Sequence, residues 1–594
     1  MSAPRTLAVA VLASTLGCGA CRKPQPLVEV SVLTRLPGAD PASVEREVTL
    51  PLERALAGLP ALRRVSSRSR EGQSELIAAF EPTVQLPAAR QEVLARLSPA
   101  LATLPAGVTP ELGAPGTGVV LRYLVSSPAL SAVELRTLQD WKVRTALMQV
   151  PGVADVTTCG GREARVEVRV DPARLAALRL SLADVVHATA DSGEPGAGAP
   201  AGGGLVLRHA GATRLDELGP RRVAMRDDTP ILLRDVATIS SGGAPPTCLA
   251  ANDGSGAVVG EVWLAAGADA TAVTKAVAER LRREAAALPP GVTLPVFDEA
   301  TAGSPEHVSF ALHLALPPGV TWPEAERAAS RVSQALAAPE VKAVLTMVPL
   351  RAELVAVVAL QPKSAWPAER VSLDAVLTGL LARVAQVPGL GQPRITAALA
   401  SRPRALEPWR PVGVRLRGSD LDALAALARK ASDSLRGVEG VSSVSVEGVG
   451  RTHEVTVQPD REALARYGLQ TAAVTTAMQA ATGGLPAADL FEGDRRVEVM
   501  VTLPMPSDDP SALAQLSLTA PDGSRLPLSQ VARLVADDAP AEILRDQGQR
   551  CVLLRVTAPT LAPRALEERA NAALRELQLP PGVTLDWDLE LRDP

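Results

Sequence analysis

Phe310-Ala-Leu-His-Leu314, Thr321-Trp-Pro-Glu324, Val341-Lys-Ala-Val-Leu-Thr-Met347, Leu354-Val-Ala-Val-Val-Ala-Leu360 and Arg394-Ile-Thr-Ala-Ala398 follow one another in a single stretch of the chain. The first, third, fourth and fifth are short apolar or alternating runs and read as strands. Thr321-Trp-Pro-Glu324 sets a hydroxyl three residues before a carboxylate, with proline in the first turn, and predicts a helix from Thr321 to about Leu336. Apolar periodicity predicts a second helix from Leu373 to Val387. The order is β-α-β-β-α-β, that of the split βαβ or ferredoxin-like sandwich.

The same order is legible near the start of the chain. Val28 to Thr34 alternates as a strand, and Asp40-Pro41 caps a helix that places Val44, Val48, Leu52 and Leu56 on one face. Val65 to Arg70 and Glu75 to Phe80 read as a strand pair, and a second helix follows from Ala88 to Thr103. Further on come a strand at Val119 to Val125, a helix from Ser131 to Val150, strands at Val153 to Thr158 and Arg165 to Val170, and a helix from Ser181 to Ala190. Gly193 to Gly204 then reads as a loop or hairpin tip.

Internal repetition explains the recurrence. Val150-Pro-Gly-Val-Ala-Asp-Val156 returns as Val438-Glu-Gly-Val-Ser-Ser-Val444, and Ser131-Ala-Val-Glu134 as Ser419-Asp-Leu-Asp422, both 288 residues later. Asp171 to Leu180 matches Asp460 to Leu469, and Leu233 to Ala237 matches Leu528 to Ala532. Leu288-Pro-Pro-Gly-Val-Thr293 matches Leu579-Pro-Pro-Gly-Val-Thr584. The chain is a duplication of two halves with insertions, with Ser131 and Ser419 both expected as N-caps.

Composition narrows the function classes. The 594 residues imply several domains, and 46% hydrophobic with 21% charged residues argues against a disordered chain. With 61 basic against 65 acidic residues there is no basic footprint for phosphates, which argues against nucleic-acid binding. Aromatics at 2% leave little to wall a stacked-ring pocket. The 51 prolines and 45 glycines imply many turns. No run reaches the roughly 20 apolar residues of a membrane-spanning helix.

The first residues read as an export signal: Arg5, then apolar Leu7 to Leu16, then Gly17-Cys18. Residues 1–26 are therefore expected to be a signal or lipoprotein segment, with Cys18 as lipid acceptor and Cys21 as its rival, although Thr15 stands where an aliphatic residue is usual. A soluble secreted protein and an uncleaved anchor are the alternatives. Cys159, Cys248 and Cys551 fit no zinc spacing, and in an oxidising compartment the sequence does not select which of them pair.

Candidate chemistry is sparse. Met478, Met500 and Met505 with Glu498 form a candidate soft-metal set, against the ordinary reading of methionines as packing. His187, His209, His307, His313 and His453 have no paired ligand spacing. Gly196, Gly198, Gly202, Gly203 and Gly204 lack the lysine of a phosphate cradle, and no nucleophile elbow selects a catalytic triad. The basic pairs Arg63-Arg64, Arg221-Arg222 and Arg495-Arg496 read as solvated strand edges. The expectation is no enzyme and no resident cofactor, with a soft or transition metal ion as the candidate ligand.

Pro37-Gly-Ala-Asp-Pro-Ala-Ser-Val-Glu-Arg-Glu-Val-Thr-Leu-Pro-Leu-Glu-Arg-Ala-Leu-Ala-Gly-Leu-Pro60 resembles the first porter subdomain of resistance-nodulation-division (RND) efflux pumps. Leu135-Arg-Thr-Leu-Gln-Asp-Trp141 with Val150 to Val156 is similar to the heavy-metal branch of that superfamily. Pro459-Asp-Arg-Glu-Ala-Leu-Ala-Arg-Tyr-Gly-Leu469 and Leu526-Pro-Leu-Ser-Gln-Val-Ala532 resemble the matching parts of the second half. The resemblance covers roughly 27 to 299 and 309 to 594.

It implies porter subdomains at 27–115, 116–300, 309–405 and 406–594, with an inserted docking element at about 190–260 and a second in the last subdomain. A linker at 301–308 stands where whole pumps carry a block of membrane helices. Trimers, an RND permease and a periplasmic adaptor are the implied partners. The family's proton-relay carboxylates sit in membrane helices, so the chain is not expected to drive proton-coupled transport alone. The copper-type methionine pattern does not carry over, because Arg402 to Trp409 holds no methionine. The docking hairpin at Asp191 to His209 is short and glycine-rich.

The functional expectation is a periplasmic, lipid-anchored porter-domain protein of a Gram-negative bacterium, an accessory or split component of heavy-metal cation efflux. A stand-alone periplasmic binding or scaffold module is the alternative, and a decayed remnant the third.

Overall fold

The computed structural model describes residues 27–588 except 37, 106–107, 114–115, 191–198, 202–204, 208–213, 266, 300–307, 318, 350–352, 368–371, 400–411, 493–494 and 505–509. The signal segment, the linker and the Arg402 to Trp409 segment lie outside these residues, as does most of the Asp191 to His209 hairpin.

The first unit contains strands β1 (Val28–Arg35), β2 (Leu62–Arg70), β3 (Gln73–Phe80) and β4 (Pro110–Leu112). Asp40 accepts from the amides of Ala42 and Ser43 and starts the helix at Pro41–Val44. A π-helical turn, Glu45–Thr49, leads into Leu50–Leu56, and Pro51, which has no amide to donate, stands just after that turn. Val44, Val48, Leu52 and Leu56 are all fully buried, so the face read from the sequence is the core face. The second helix is Leu86–Ala100.

The second unit holds β5 (Gly116–Val125) and β6 (Val153–Cys159). An insert follows, from which β7 (Ala164–Val170) and β8 (Ala237–Gly243) pair antiparallel. The chain then passes through β9 (Cys248–Asn252) and returns to the second unit as β10 (Val258–Ala265) and β11 (Val296–Glu299). Strand β7 and the helix Leu182–Ala190 thus belong to the insert, which begins well before the expected 190. Local periodicity marks a strand but does not say which sheet it joins.

The third unit has β12 (Ser309–Ala315), β13 (Val341–Pro349), β14 (Glu353–Leu360) and β15 (Arg394–Ala397), with helices Trp322–Leu336 and Leu373–Val384. The fourth has β16 (Val412–Arg417) and β17 (Ser443–Glu447), then its own insert with β18 (Arg451–Pro459), β19 (Leu485–Glu492), β20 (Arg495–Thr502) and β21 (Ala532–Pro540). Strands β22 (Glu542–Asp546), β23 (Gln549–Thr557) and β24 (Thr584–Asp588) complete it. The capping boxes at Ser131/Glu134 and Thr321/Glu324 form as expected, but the helix Leu421–Arg436 is capped by Asp420 rather than Ser419. Asp420 accepts from the amides of Asp422 and Ala423, and a carboxylate one residue later serves the same orphan donors.

The molecule is mixed α+β. Within the units the spatial orders are β4-β1-β3-β2, β11-β5-β10-β6, β15-β12-β14-β13 and β24-β16-β23-β17. Each half lends a strand to the other. β22 pairs with both β2 and β23 and joins the first and fourth units in one nine-stranded sheet. β9 pairs with β13 and carries the first half into the third unit's sheet. The second and third units also share an apolar core that includes Val156, Val259, Leu345, Met347 and Val357. Such burial is worth roughly 1.5–3 kcal/mol per large aliphatic side chain. The inserts join in turn, because β20 runs parallel to β7 in the sheet β8-β7-β20-β19.

Candidate functional site

Alternation along a strand sends every second side chain away from the helix-covered face. In the third unit Phe310, Leu312 and Leu314 point to the helices, which leaves His313 on the opposite face of β12. In the nine-stranded sheet Ser67 and Ser69 meet the helix side through Glu53 and Thr49, and Arg68 lies on the opposite face. These opposite faces come together across the first, third and fourth units in one charged cluster.

Arg394 Nη2 is 2.7 Å from Glu353 Oε1 and 3.8 Å from Glu447 Oε1, so one guanidinium links the third unit to the fourth. Glu447 also receives Arg555 Nε at 2.6 Å and Arg68 Nη2 at 2.8 Å. Glu542 lies 3.2 Å from Arg70 Nε and 3.8 Å from Arg68 Nε. His313 Nδ1 is 3.1 Å from Glu353 Oε2, while its Nε2 is 3.0 Å from the Thr396 hydroxyl.

Burial opposes ionisation of Glu353, but the His313 hydrogen bond and the charges of His313, Arg394 and Arg68 outweigh it and hold the carboxyl at about 2. Glu447 is likewise held at about 2, with Arg555, Arg68 and Arg394 overcoming its desolvation. For Arg68 the carboxylates of Glu542 and Glu447 outweigh burial and raise the guanidinium further. Carboxylates so firmly ionised and so fully matched by guanidinium groups are suited to holding units together, not to exchanging protons near neutral pH.

Further ionic groups are buried among the described residues. Arg545 on β22 reaches Glu45 at 2.9 Å and Glu53 at 3.0 Å, and Arg550 also holds Glu45. In the second unit Arg122 meets Glu261 at 2.7 Å and Asp298 at 3.1 Å, and burial raises the Asp298 carboxyl despite Arg122.

The sequence candidates do not converge. Met478 packs against the insert core formed by Val497, Val499 and Val501, whereas Glu498 and Met500 alternate to the other face of β20. Met500 is buried over Gly484, Glu498 is exposed, and Met505 lies outside the described residues. His187 is exposed; His209, His307 and the five candidate glycines lie outside the described residues, as does the His453 side chain. Among the described residues no group of three or more His, Cys, Asp or Glu side chains is placed to hold a metal ion. Of the basic pairs read as solvated edges, Arg64 instead pairs at 2.6 Å with buried Asp546, because β22 covers that strand. Arg63 and Arg496 pair with Glu81 and Asp489 at the surface.

Among the cysteines Cys159 and Cys248 form a disulfide, and Cys551 is free and buried. The ionic cluster was not anticipated from sequence: Arg68, His313, Glu353 and Glu447 occupy outward strand positions, where charge is the ordinary solvent-facing pattern.

No helix among the described residues is long and apolar enough to cross a membrane. The sequence profile of the AcrB/AcrD/AcrF family matches residues 25–303 and again 304–592. The chain is 32% identical over 288 residues to protein HelA of Legionella pneumophila, covering 46% of this chain and 27% of that protein. It is 33% identical over 289 residues to the cation efflux system protein CzcA of an Alcaligenes species, and 34% identical over 277 residues to the cation efflux system protein CusA of Escherichia coli K12. Each of these two alignments covers 45% of this chain and 26% of the relative, so the aligned stretches span about a quarter of the relatives' length. The fold matches a crystal structure of a heavy metal efflux pump with a TM-score of 0.84 at 19% identity, over 95% of this chain and 80% of that one. With both halves matched in succession, the chain belongs to the AcrB/AcrD/AcrF family, and CzcA and CusA among its relatives are heavy-metal efflux proteins of the RND superfamily.

Proposed function

We propose that this protein is a periplasmic porter-domain component of RND-type heavy-metal cation efflux, acting as an accessory or split part beside a membrane-embedded partner that supplies the proton coupling. The observation that carries the reading is the succession of the two family matches, one ending at residue 303 and the next beginning at 304. Two porter halves thus stand directly in sequence, each strand-linked to the other through β9 and β22. We read the four units as tandem ferredoxin-like subdomains, supported by their shared strand order. The disulfide supports an oxidising compartment such as the periplasm, with Cys18, or Cys21 in its place, as the lipid anchor. In this reading the protein is not an enzyme and holds no resident cofactor. Metal cations are its cargo, and self-association as a trimer or contact with an adaptor completes the assembly.

The test is a native pull-down of the tagged full-length chain from detergent-solubilised envelopes, read by mass spectrometry. Recovery of an RND permease, adaptor or outer-membrane channel is the expected result. Recovery of the bait alone would overturn the accessory role in favour of an independent periplasmic module.

A further inference from the structure

The two inserts leave their units through equivalent necks. Cys159 is the last residue of β6 and Glu447 the last of β17, and each is followed by a glycine with positive φ, Gly160 at 85° and Gly448 at 86°. On the return, Cys248 opens β9 opposite Pro349, the last residue of β13, and Glu542 opens β22 opposite Arg70, the last residue of β2. Cys159 and Cys248 therefore occupy in the first half the positions that Glu447 and Glu542 occupy in the second.

The two necks are closed by different chemistry. In the second, Glu447 and Glu542 share Arg68 of the first unit, at 2.8 and 3.8 Å, and Glu542 accepts from the Gly448 amide at 3.0 Å. In the first, Met347 takes the register position of Arg68: it lies opposite Ala250 as Arg68 lies opposite Leu544. Met347 is buried in the same apolar cluster as Cys159 and offers no cation. The neck is held instead by the Cys159–Cys248 disulfide and by the Gly160 amide donating to Cys248 O at 3.2 Å. Close approach is built in, since a Cβ on Gly160 would lie 2.0 Å from Ala257 O. The bond closes a separation of 89 residues, which contains the whole first insert.

We propose that Cys159 and Cys248 form a redox-set staple at the neck of the first insert. Oxidation ties the neck of the insert to the second and third units, and reduction releases that neck while β7 stays paired with β20 of the second insert. The second insert, held by ions, does not respond. Cys248 is partly exposed and Cys159 is buried, so Cys248 meets the oxidant first. Its thiolate attacks the disulfide of a protein thiol–disulfide oxidant and expels one oxidant thiolate, leaving a mixed disulfide. The Cys159 thiolate then attacks the Cys248 sulfur and expels the second. The chain's two thiols lose two protons and two electrons, and the oxidant becomes a dithiol.

The experiment uses the full chain, isolated with acid quenching of thiols, and compares hydrogen exchange before and after treatment with a phosphine reductant. Cys159 and Cys248 are expected to resist alkylation until reduced. Reduction is expected to accelerate exchange in β7 and β8 by roughly tenfold and to leave β18 and β21 unchanged. The Cys159→Ser/Cys248→Ser double variant should reproduce the reduced pattern without reductant; if it does not fold, the comparison on the natural chain decides. Alkylation of both thiols in the quenched protein, unchanged exchange in β7 and β8, or equal acceleration of both inserts would each overturn the proposal.

Discussion

Arg545 holds the second half against the first, and its replacement by alanine offers a sharp energetic test. Its Nε donates to Glu53 Oε2 at 3.0 Å, its Nη1 to Glu45 Oε1 at 2.9 Å, and its Nη2 to the Gly548 carbonyl. Glu45 keeps Arg550 after the change, but Glu53 keeps only the Ser67 hydroxyl, at 2.5 Å. Arg545→Ala therefore strands one buried carboxylate, for which the usual cost is about 3–5 kcal/mol. Because the chain has several units, a global midpoint would mix their transitions. Opening free energies of the β2 and β22 amides, from native-state hydrogen exchange, isolate the right region. The loss should appear there and not in β5 or β10. Adding Glu53→Gln removes the stranded charge and should recover half or more of the loss, giving a coupling energy above 1 kcal/mol in the double-mutant cycle. A loss below about 1 kcal/mol, or no recovery with Glu53→Gln, would refute the view that this ionic group welds the halves.

Acid should loosen the inter-unit cluster selectively. Glu353 and Glu447 are held at about 2 against an ordinary value of 4.5, so their contribution is complete above about pH 4.5 and is lost as pH falls through about 2. The opening free energies of the β14 and β17 amides, corrected for intrinsic exchange at each pH, should fall over that window, and Glu353→Gln should flatten the dependence in β14. Gly260→Ala should destabilise the second unit, because its Cβ would lie 2.2 Å from Tyr123 Cζ and disturb the buried bond from Tyr123 to Gln139. Overpacking costs about 1–3 kcal/mol, and a lost buried hydrogen bond adds to it, so the opening free energies of the β5 and β10 amides, from native-state hydrogen exchange, should fall. The Cys551 thiol, pushed up to about 12 by burial and by Asp546, should resist maleimide at pH 8 in the native chain and react once unfolded.

What was legible in the sequence is what local periodicity and capping encode. The third unit's strands and its first helix fall within two residues of the positions read from Phe310 to Ala398, because each carries its own apolar pattern and Thr321 with Glu324 marks the helix start. The duplication was legible because paired turns such as Pro151-Gly152 and Glu439-Gly440 kept their spacing. Which sheet a strand joins was not. β7 has the alternation of any half-buried strand, yet its partners are β8 and a strand of the other half. Nor was the ionic cluster, since an outward Arg68 or Glu353 is indistinguishable in sequence from a solvated charge until the opposing sheet is in place.

The exchanged strands place the chemical difference between the two halves at their crossings. β9 and β22 perform one task, crossing from one half into the other's sheet, but they meet different surfaces. β22 carries Glu542, Arg545 and Asp546 into charged surroundings on the first unit, where Arg64, Arg68, Arg70, Glu45 and Glu53 answer it. β9, reading Cys-Leu-Ala-Ala-Asn, has no ionised side chain and meets Met347 and Leu345 instead. An apolar crossing gains area but little directional restraint, whereas guanidinium–carboxylate pairs fix orientation through forked hydrogen bonds. A covalent bond at the open end of β9 restores that restraint without burying charge. Exchanging the two solutions by placing Cys248→Glu in the first neck would leave a carboxylate beside Met347 with no cation at the register position of Arg68. The neck should then open, even though the same residue type closes the second one.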